Sequence, residues 1–101
     1  MICALTVRKL KPGTFEDFKT AFMGDNVEDE IPEGWVRFDM VRSVEDPNEV
    51  ICFGMFDGTL EELRGGSSYE GYDEQMERIA PFVESVGTDG LFEVVEEFAR
   101  A

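Results

Sequence analysis

The most strongly patterned stretch of the sequence runs from Gly34 to Asp57, GWVRFDMVRSVEDPNEVICFGMFD. Val36, Phe38 and Met40 alternate with Trp35, Arg37, Asp39 and Val41, the period-two pattern of a strand. A second run, from Val50 to Phe56, is rich in Val, Ile, Phe and Met, which suit a pleated surface. Glu45-Asp46-Pro47-Asn48 lies between them. Pro pre-sets φ for a type I turn, and Asp and Asn side chains bond neighbouring backbone. The stretch therefore predicts a hairpin with strands over 35–44 and 49–57.

The two strands differ. Val50, Ile51, Cys52, Phe53, Met55 and Phe56 make the second apolar on both faces. A strand with one wet face would alternate, so both sides of this sheet are expected to be covered. The helices of a chain this short cover one face, and the other needs a partner. Pattern alone leaves open which face meets the helices, because a one-residue slip exchanges them.

The same patterns place the other elements. Residues 2–10 read as a strand, with Cys3, Leu5 and Val7 alternating with Ala4, Thr6 and Arg8. Lys11-Pro12-Gly13 ends it, since Pro cannot continue a central ladder. Thr14 is placed to cap a helix whose Phe15, Phe18 and Phe22 share one face and whose natural stop is Gly24. Residues 25–34 read as a loop; its Glu28, Asp29 and Glu30 are solvated carboxylates or, less simply, a cation site. TLEELR is a short helical turn closed by Gly65-Gly66. Ser67 and Glu70 form a capping box for a helix carrying Tyr69, Tyr72, Met76, Ile79 and Val83 at helical spacing, which Pro81 is expected to kink or end near Ala80. Gly87-Thr88-Asp89-Gly90 reads as a turn and residues 91–99 as a last strand.

The order is β-α-β-β-α-β with a short extra helix, a ferredoxin-like α+β domain with one four-stranded antiparallel sheet. Its usual strand order sets the first and third strands side by side, and with them Cys3 and Cys52. Either two buried thiols or a disulfide fits that placement. At 101 residues the chain is one domain. Its hydrophobic content of 43% supports a folded core, and nine Phe make that core aromatic.

Charge and missing residues narrow the function. The net charge is −14, from 23 acidic and 9 basic residues. That field repels phosphate backbones and anionic membranes, so neither nucleic acid nor membrane is an expected partner. It suits a solvated surface or a high-salt habitat. There is no His, which removes the commonest general base and metal ligand. Two Cys without CxxC spacing make no redox or zinc motif. MICALTVRKL has no basic n-region, and no stretch nears the roughly 20 apolar residues of a membrane span, which predicts a cytoplasmic protein.

Lys11-Pro12-Gly13 leading into a helix with Phe15 and Phe18 resembles the opening of antibiotic biosynthesis monooxygenase-like domains. So does the run from Phe56-Asp57 through Leu60-Glu61-Glu62-Leu63 into Ser67-Ser68-Tyr69. The resemblance covers nearly the whole chain and belongs to the dimeric α+β barrel superfamily. It implies a homodimer with two facing sheets, helices outside, and a small-molecule cavity between helices and sheet. It also implies oxidation of a small aromatic or quinol-like substrate by dioxygen, with no metal, flavin or other cofactor. A non-catalytic, ligand-binding or regulatory dimer of the same fold is the alternative. Many members carry a His where this chain has Arg64; without any His, haem degradation is not expected.

Such an oxygenase must hold a phenolate, stabilise developing charge and exclude water. Arg37 and Asp39 sit two apart on one strand, on the face shared with Trp35. Arg37 can bind an anion, and Asp39 can take a proton if burial raises its pKa. The pair can equally close on itself. Tyr69 and Tyr72, i and i+3 on one helix, can hydrogen-bond a phenol or pack with wet hydroxyl tips. Trp35, Phe18, Phe22 and Met76 offer aromatic and soft contacts to a planar ligand, or plain core packing. Thr6, Arg8, Glu93 and Glu96 are secondary candidates. No triad, P-loop or dinucleotide fingerprint is present.

Overall fold

A computed structural model describes residues 1–23, 33–65 and 72–100 of the chain. Its elements are β1 (Ile2–Leu10), α1 (Phe15–Met23), β2 (Trp35–Arg42), β3 (Glu49–Phe56), α2 (Leu60–Gly65), α3 (Tyr72–Ile79), a 3-10 turn (Ala80–Phe82) and β4 (Val83–Glu93). The strands form one antiparallel sheet in the order β2-β3-β1-β4, the ferredoxin-like arrangement expected from the pattern.

The hairpin turn forms as its chemistry dictates. The Asp46 carbonyl accepts from Glu49 N at 3.1 Å, and its carboxylate accepts from Asn48 N at 2.9 Å. Pro47 thus occupies the second turn position, where its φ is already correct. Ser43 Oγ accepts from the amides of Glu45 and Asp46, and Lys9 on β1 pairs with the Asp46 carboxylate. The turn is tied to the sheet on both sides.

Cross-strand register assigns the faces. On β3, Val50, Cys52, Gly54 and Phe56 are buried, while Ile51, Phe53 and Met55 are half-buried. Arg8 pairs with Val50, Thr6 with Cys52 and Ile2 with Phe56, so the row Ile2, Ala4, Thr6, Arg8, Leu10 faces the helices. Phe18, Leu10 and Val50 are fully enclosed there, with Cys52 and Ile79 beside them. The other row of β1, Cys3, Leu5 and Val7, joins Ile51, Phe53 and Met55 on a face that no helix among the described residues covers. The more apolar row of β1 thus points away from the helices. Cys3 and Cys52 fall on opposite faces of neighbouring strands and are both free thiols.

The helices use the bonds that their ends need. Gln75 Nε2 donates to Phe22 O at 2.7 Å and Arg78 Nε to Ala21 O at 2.9 Å. Both carbonyls belong to the last turn of α1, which has no intrahelical donors left for them. Thr59 and Glu62 form a capping box at α2, each amide bonded to the other's side chain at 3.1 Å. That box went unread in TLEELR. Thr14 does not cap α1: its hydroxyl donates to Lys11 O at 2.7 Å and Phe82 O at 3.4 Å, tying the helix start to the 3-10 turn. Pro81 lies in that turn and ends α3, and Val83, whose spacing reads as helical, is instead extended and starts β4.

Two expectations are corrected. The last strand is Val83–Glu93, not 91–99, and it passes through the Gly87–Gly90 stretch read as a turn. Thr6 pairs with Asp89 but Arg8 with Val86, so a bulge on β4 absorbs an extra residue. Beyond Glu93 the strand runs out of partner: Ile2 pairs with Glu93, and only Val94 N to Met1 O, at 3.0 Å, follows. Second, a bulge at Val36 breaks the alternation of β2. Trp35 pairs with Phe56 and Arg37 with Met55, so Trp35 faces the helices while Arg37 and Asp39 face away. The Gly24 stop, the Glu28-Asp29-Glu30 cluster, Gly66 and the Ser67–Glu70 box lie outside the described residues.

Phe18 is 0% exposed and touches both the sheet and Phe22 at 5.7 Å between ring centroids. Phe18→Ala is expected to destabilise the fold by about 3–5 kcal/mol, the usual cost of emptying a buried aromatic site. Urea unfolding checks this, and a loss below about 1 kcal/mol would contradict the packing described.

Candidate functional site

The inward row of β1 places one charged residue in the layer between sheet and helices. Arg8 is 5% exposed. Its neighbours on the same inward row of β1 are Thr6 and Leu10. Its guanidinium carbon lies 6.0 Å from the Phe18 ring centroid and 5.9 Å from that of Phe22. Nη2 donates weakly to Met76 Sδ at 3.6 Å. Nη1 is buried and has no hydrogen-bond partner among the described residues.

The charge balance of this arrangement is poor. Moving an ion out of water costs several kcal/mol even after relaxation. Ring contacts at about 6 Å return at most about 2 kcal/mol, and a thioether is a weak acceptor. No carboxylate forms an ion pair with Arg8 among the described residues; the pairs there are Lys9–Asp46 and Arg37–Asp39. The nearest counter-group is chemical rather than ionic. Burial pushes the Cys52 thiol up, and the Arg8 guanidinium beside it partly offsets that.

Arg8 also lines a cavity of about 340 Å³ between the β1–β4 half of the sheet and α3. Met76, Ile79 and Val83 give it apolar walls; Thr6, Glu84 and Asp89 give it polar ones. Thr6 Oγ1 donates to Asp89 Oδ1 at 3.2 Å, across the paired strands. The volume lies within the range of about 300–1,000 Å³ typical of small-molecule sites, at its lower end.

The structure divides the residues singled out in the sequence into three places. Phe18, Phe22 and Met76 come together, around Arg8. Trp35 lies apart from them at the far end of the helix face, stacked on Phe38 at 4.9 Å and edge-on to Phe56 at 5.4 Å. Gly54 makes room for that stack, since a Cβ there would sit 2.7 Å from the Phe38 ring. The Trp35 indole Nε1 is buried without a partner among the described residues. Arg37 and Asp39 stand on the opposite face, closed on each other by two bonds of 2.7 and 2.8 Å. The Arg37 guanidinium bonded to Asp39 holds that carboxyl below the usual carboxylate range. The raised value that proton transfer would need is absent, and the sheet separates the pair from the cavity. Tyr69 lies outside the described residues, and Tyr72 is described only as the first residue of α3. Glu93 ends β4, and Glu96 lies in the exposed segment after it.

In the sequence Arg37 stands out over Arg8 because Asp39 lies two residues away on the same strand. The signal that separates them is the pairing partner: Arg8 lies across from Val50 on the buried row, Arg37 across from Met55 on the open one.

No protein-family model matches the chain, and no curated protein is significantly similar to it in sequence. Solved structures match it closely in shape. A protein of Deinococcus radiodurans, named as a candidate antibiotic biosynthesis monooxygenase, superposes with a TM-score of 0.77 at 9% identity, over 100% of this chain and 99% of the other. One of the same description from Nitrosomonas europaea gives 0.75 at 17% identity, over 95% and 100%. A conserved protein of Methanosarcina mazei gives 0.70 at 11%, over 90% and 89%. The chain has the fold of antibiotic biosynthesis monooxygenase-like domains.

An unpaired buried cation is destabilising until something binds it. Arg8→Met keeps the stem length and removes the charge, so the ligand-free variant is expected to be more stable than the parent by about 1–3 kcal/mol. Denaturant midpoints decide this; a destabilised Arg8→Met would mean that the guanidinium already has its partners.

Proposed function

Starting from a fold shared with antibiotic biosynthesis monooxygenase-like domains, we propose that this chain is a cofactor-independent monooxygenase. Its substrate is a small aromatic or quinol-like molecule, held in the cavity between β1, β4 and α3. The observation that carries this is Arg8: a buried guanidinium, unpartnered at Nη1, on the wall of a cavity of single-ligand size. Donors left unsatisfied in a protein interior mark a site where something else completes them.

In such a reaction one atom of dioxygen enters the ring and the other leaves as water. The substrate supplies all four electrons, so a phenol becomes a quinone. The protein contributes binding, orientation and dryness. Arg8 donates hydrogen bonds to a substrate oxygen. Met76, Ile79 and Val83 exclude water around the ring. Phe18 and Phe22 hold the guanidinium in place from behind.

The second reading is a non-catalytic binding module of the same fold. The closed Arg37–Asp39 pair favours it, because that pair offers no proton acceptor to the cavity. Oxygen consumption separates the two. With a panel of dihydroxylated and trihydroxylated aromatics, the wild type is expected to take up dioxygen above the uncatalysed rate. Arg8→Met is expected to lose at least about tenfold in kcat/KM, since a hydrogen bond to a charged group is worth about 1.5–3 kcal/mol. Binding without oxygen uptake across the panel would support the module instead.

The open sheet face bears on assembly. Cys3, Leu5, Val7, Ile51, Phe53 and Met55 form a continuous apolar surface there, with Val41 and Phe92 exposed beside it at 44% and 47%. A second copy of the chain, sheet against sheet, covers it in our reading. Sedimentation equilibrium at micromolar concentration is expected to give twice the mass of the chain, and a stable monomer would exclude this assembly.

A further inference from the structure

Within the monooxygenase or binding-module reading of the Arg8 cavity, on which this inference rests, we infer that the ligand is a hydroxylated aromatic monocarboxylate bound in one orientation. Its carboxylate lies on Arg8 and its ring hydroxyl reaches Asp89. Three observations carry this.

The first is the charge of the inner wall. Arg8 is buried, and its guanidinium meets aromatic rings, a thioether and a thiol but no carboxylate among the described residues. A planar carboxylate matches the fork of a guanidinium better than any neutral oxygen does. It also neutralises the buried charge, which a neutral phenol does not.

The second is the position of the outer wall. Thr6 and Arg8 are two residues apart on one inward row, about 6.6 Å along the strand. Asp89 pairs with Thr6 across β1 and β4 and is fixed by its hydroxyl. Asp89 sits on the next strand, so the span from Arg8 to the Asp89 carboxylate crosses the cavity wall diagonally, from β1 to β4. A carboxylate bonded once still has acceptor capacity for a ring hydroxyl. The apolar side chains of Met76, Ile79 and Val83 lie around that span.

The third is the sign of the mouth. Glu84 and Asp89 line the same cavity and are exposed. They repel a second negative group at the outer end. One negative charge inside, and a hydrogen-bond donor rather than an anion outside, is the pattern that both ends accept.

The test compares three ligands by calorimetry on the whole chain: 4-hydroxybenzoate, 4-hydroxybenzamide and benzoate. The wild type is expected to bind 4-hydroxybenzoate at least about tenfold more tightly than the amide, which presents no charge to Arg8. Benzoate is expected to fall between them, weaker than 4-hydroxybenzoate by a few-fold. Asp89→Asn is expected to shrink the gap between 4-hydroxybenzoate and benzoate while leaving the preference over the amide. Arg8→Met is expected to abolish the preference over the amide, and Arg8→Lys to keep it in reduced form. Equal binding of acid and amide by the wild type overturns the assignment and leaves the cavity reading intact. An acid preference that survives in Arg8→Met also overturns it. No binding of any of the three, with oxygen uptake on neutral quinols, overturns the carboxylate while supporting the oxygenase; no binding and no uptake overturn both.

Discussion

Everything in this small fold leans on β3 and β1, the central strands, and β3 is apolar on both sides. A single helical layer has to choose one. It takes the side bearing Leu10, Val50 and Cys52, and Phe18 fills the space between. The choice leaves the more hydrophobic row of β1 outside and draws the polar row, Thr6 and Arg8, inside. For a solitary domain this is the wrong way round, since hydrophobic burial would reverse it. A sheet with a second cover has no such preference, because both rows are then shielded. The inward Arg8 and the apolar open face are thus two expressions of one constraint.

That constraint also separates chemistry from assembly. Polar groups on the open face pair with each other, as Arg37 and Asp39 do in their two-bond fork. Polar groups on the helix face do not all find partners: Arg8 Nη1 and Trp35 Nε1 are buried and unmet among the described residues. Interiors satisfy nearly all such groups. The two exceptions mark opposite ends of the helix face, at the Val50 and Phe56 ends of β3, and only the first adjoins the cavity described.

The fold was legible in the sequence because its signals are local and redundant. Alternation, the Asp46-Pro47-Asn48 turn and the Phe15/Phe18/Phe22 stripe each point to the same element order. The grouping of site residues was not legible, because it depends on two bulges. One at Val36 puts Trp35 and Arg37 on opposite faces, although strict period two would align them. The other carries β4 through Gly87 and sets Asp89 beside Thr6. Neither bulge has a signature in residue type: Val36 suits a regular strand, and Gly87-Thr88-Asp89-Gly90 suits a turn. Phe18 and Phe22 share one face as the sequence indicates because helical spacing survives such slips, whereas Trp35, grouped with them and Met76 by residue type, lies apart. Arg8 was seen but not ranked, since face assignment needs the pairing partner.

The two cysteines sit on either side of one sheet, Cys3 outward and half-buried, Cys52 inward and nearly enclosed. They cannot meet without turning a strand over, so a disulfide between them within one chain has no path. Their exposures answer to different events. Whatever settles against the open face governs access to Cys3. Access to Cys52 waits on α1 and α3 parting from the strands, a local opening whose frequency follows the stability of that layer. Each thiol thus keeps its own clock, and the ratio of the two rates of alkylation tells exposure of the open face apart from helix-layer breathing in the same molecule.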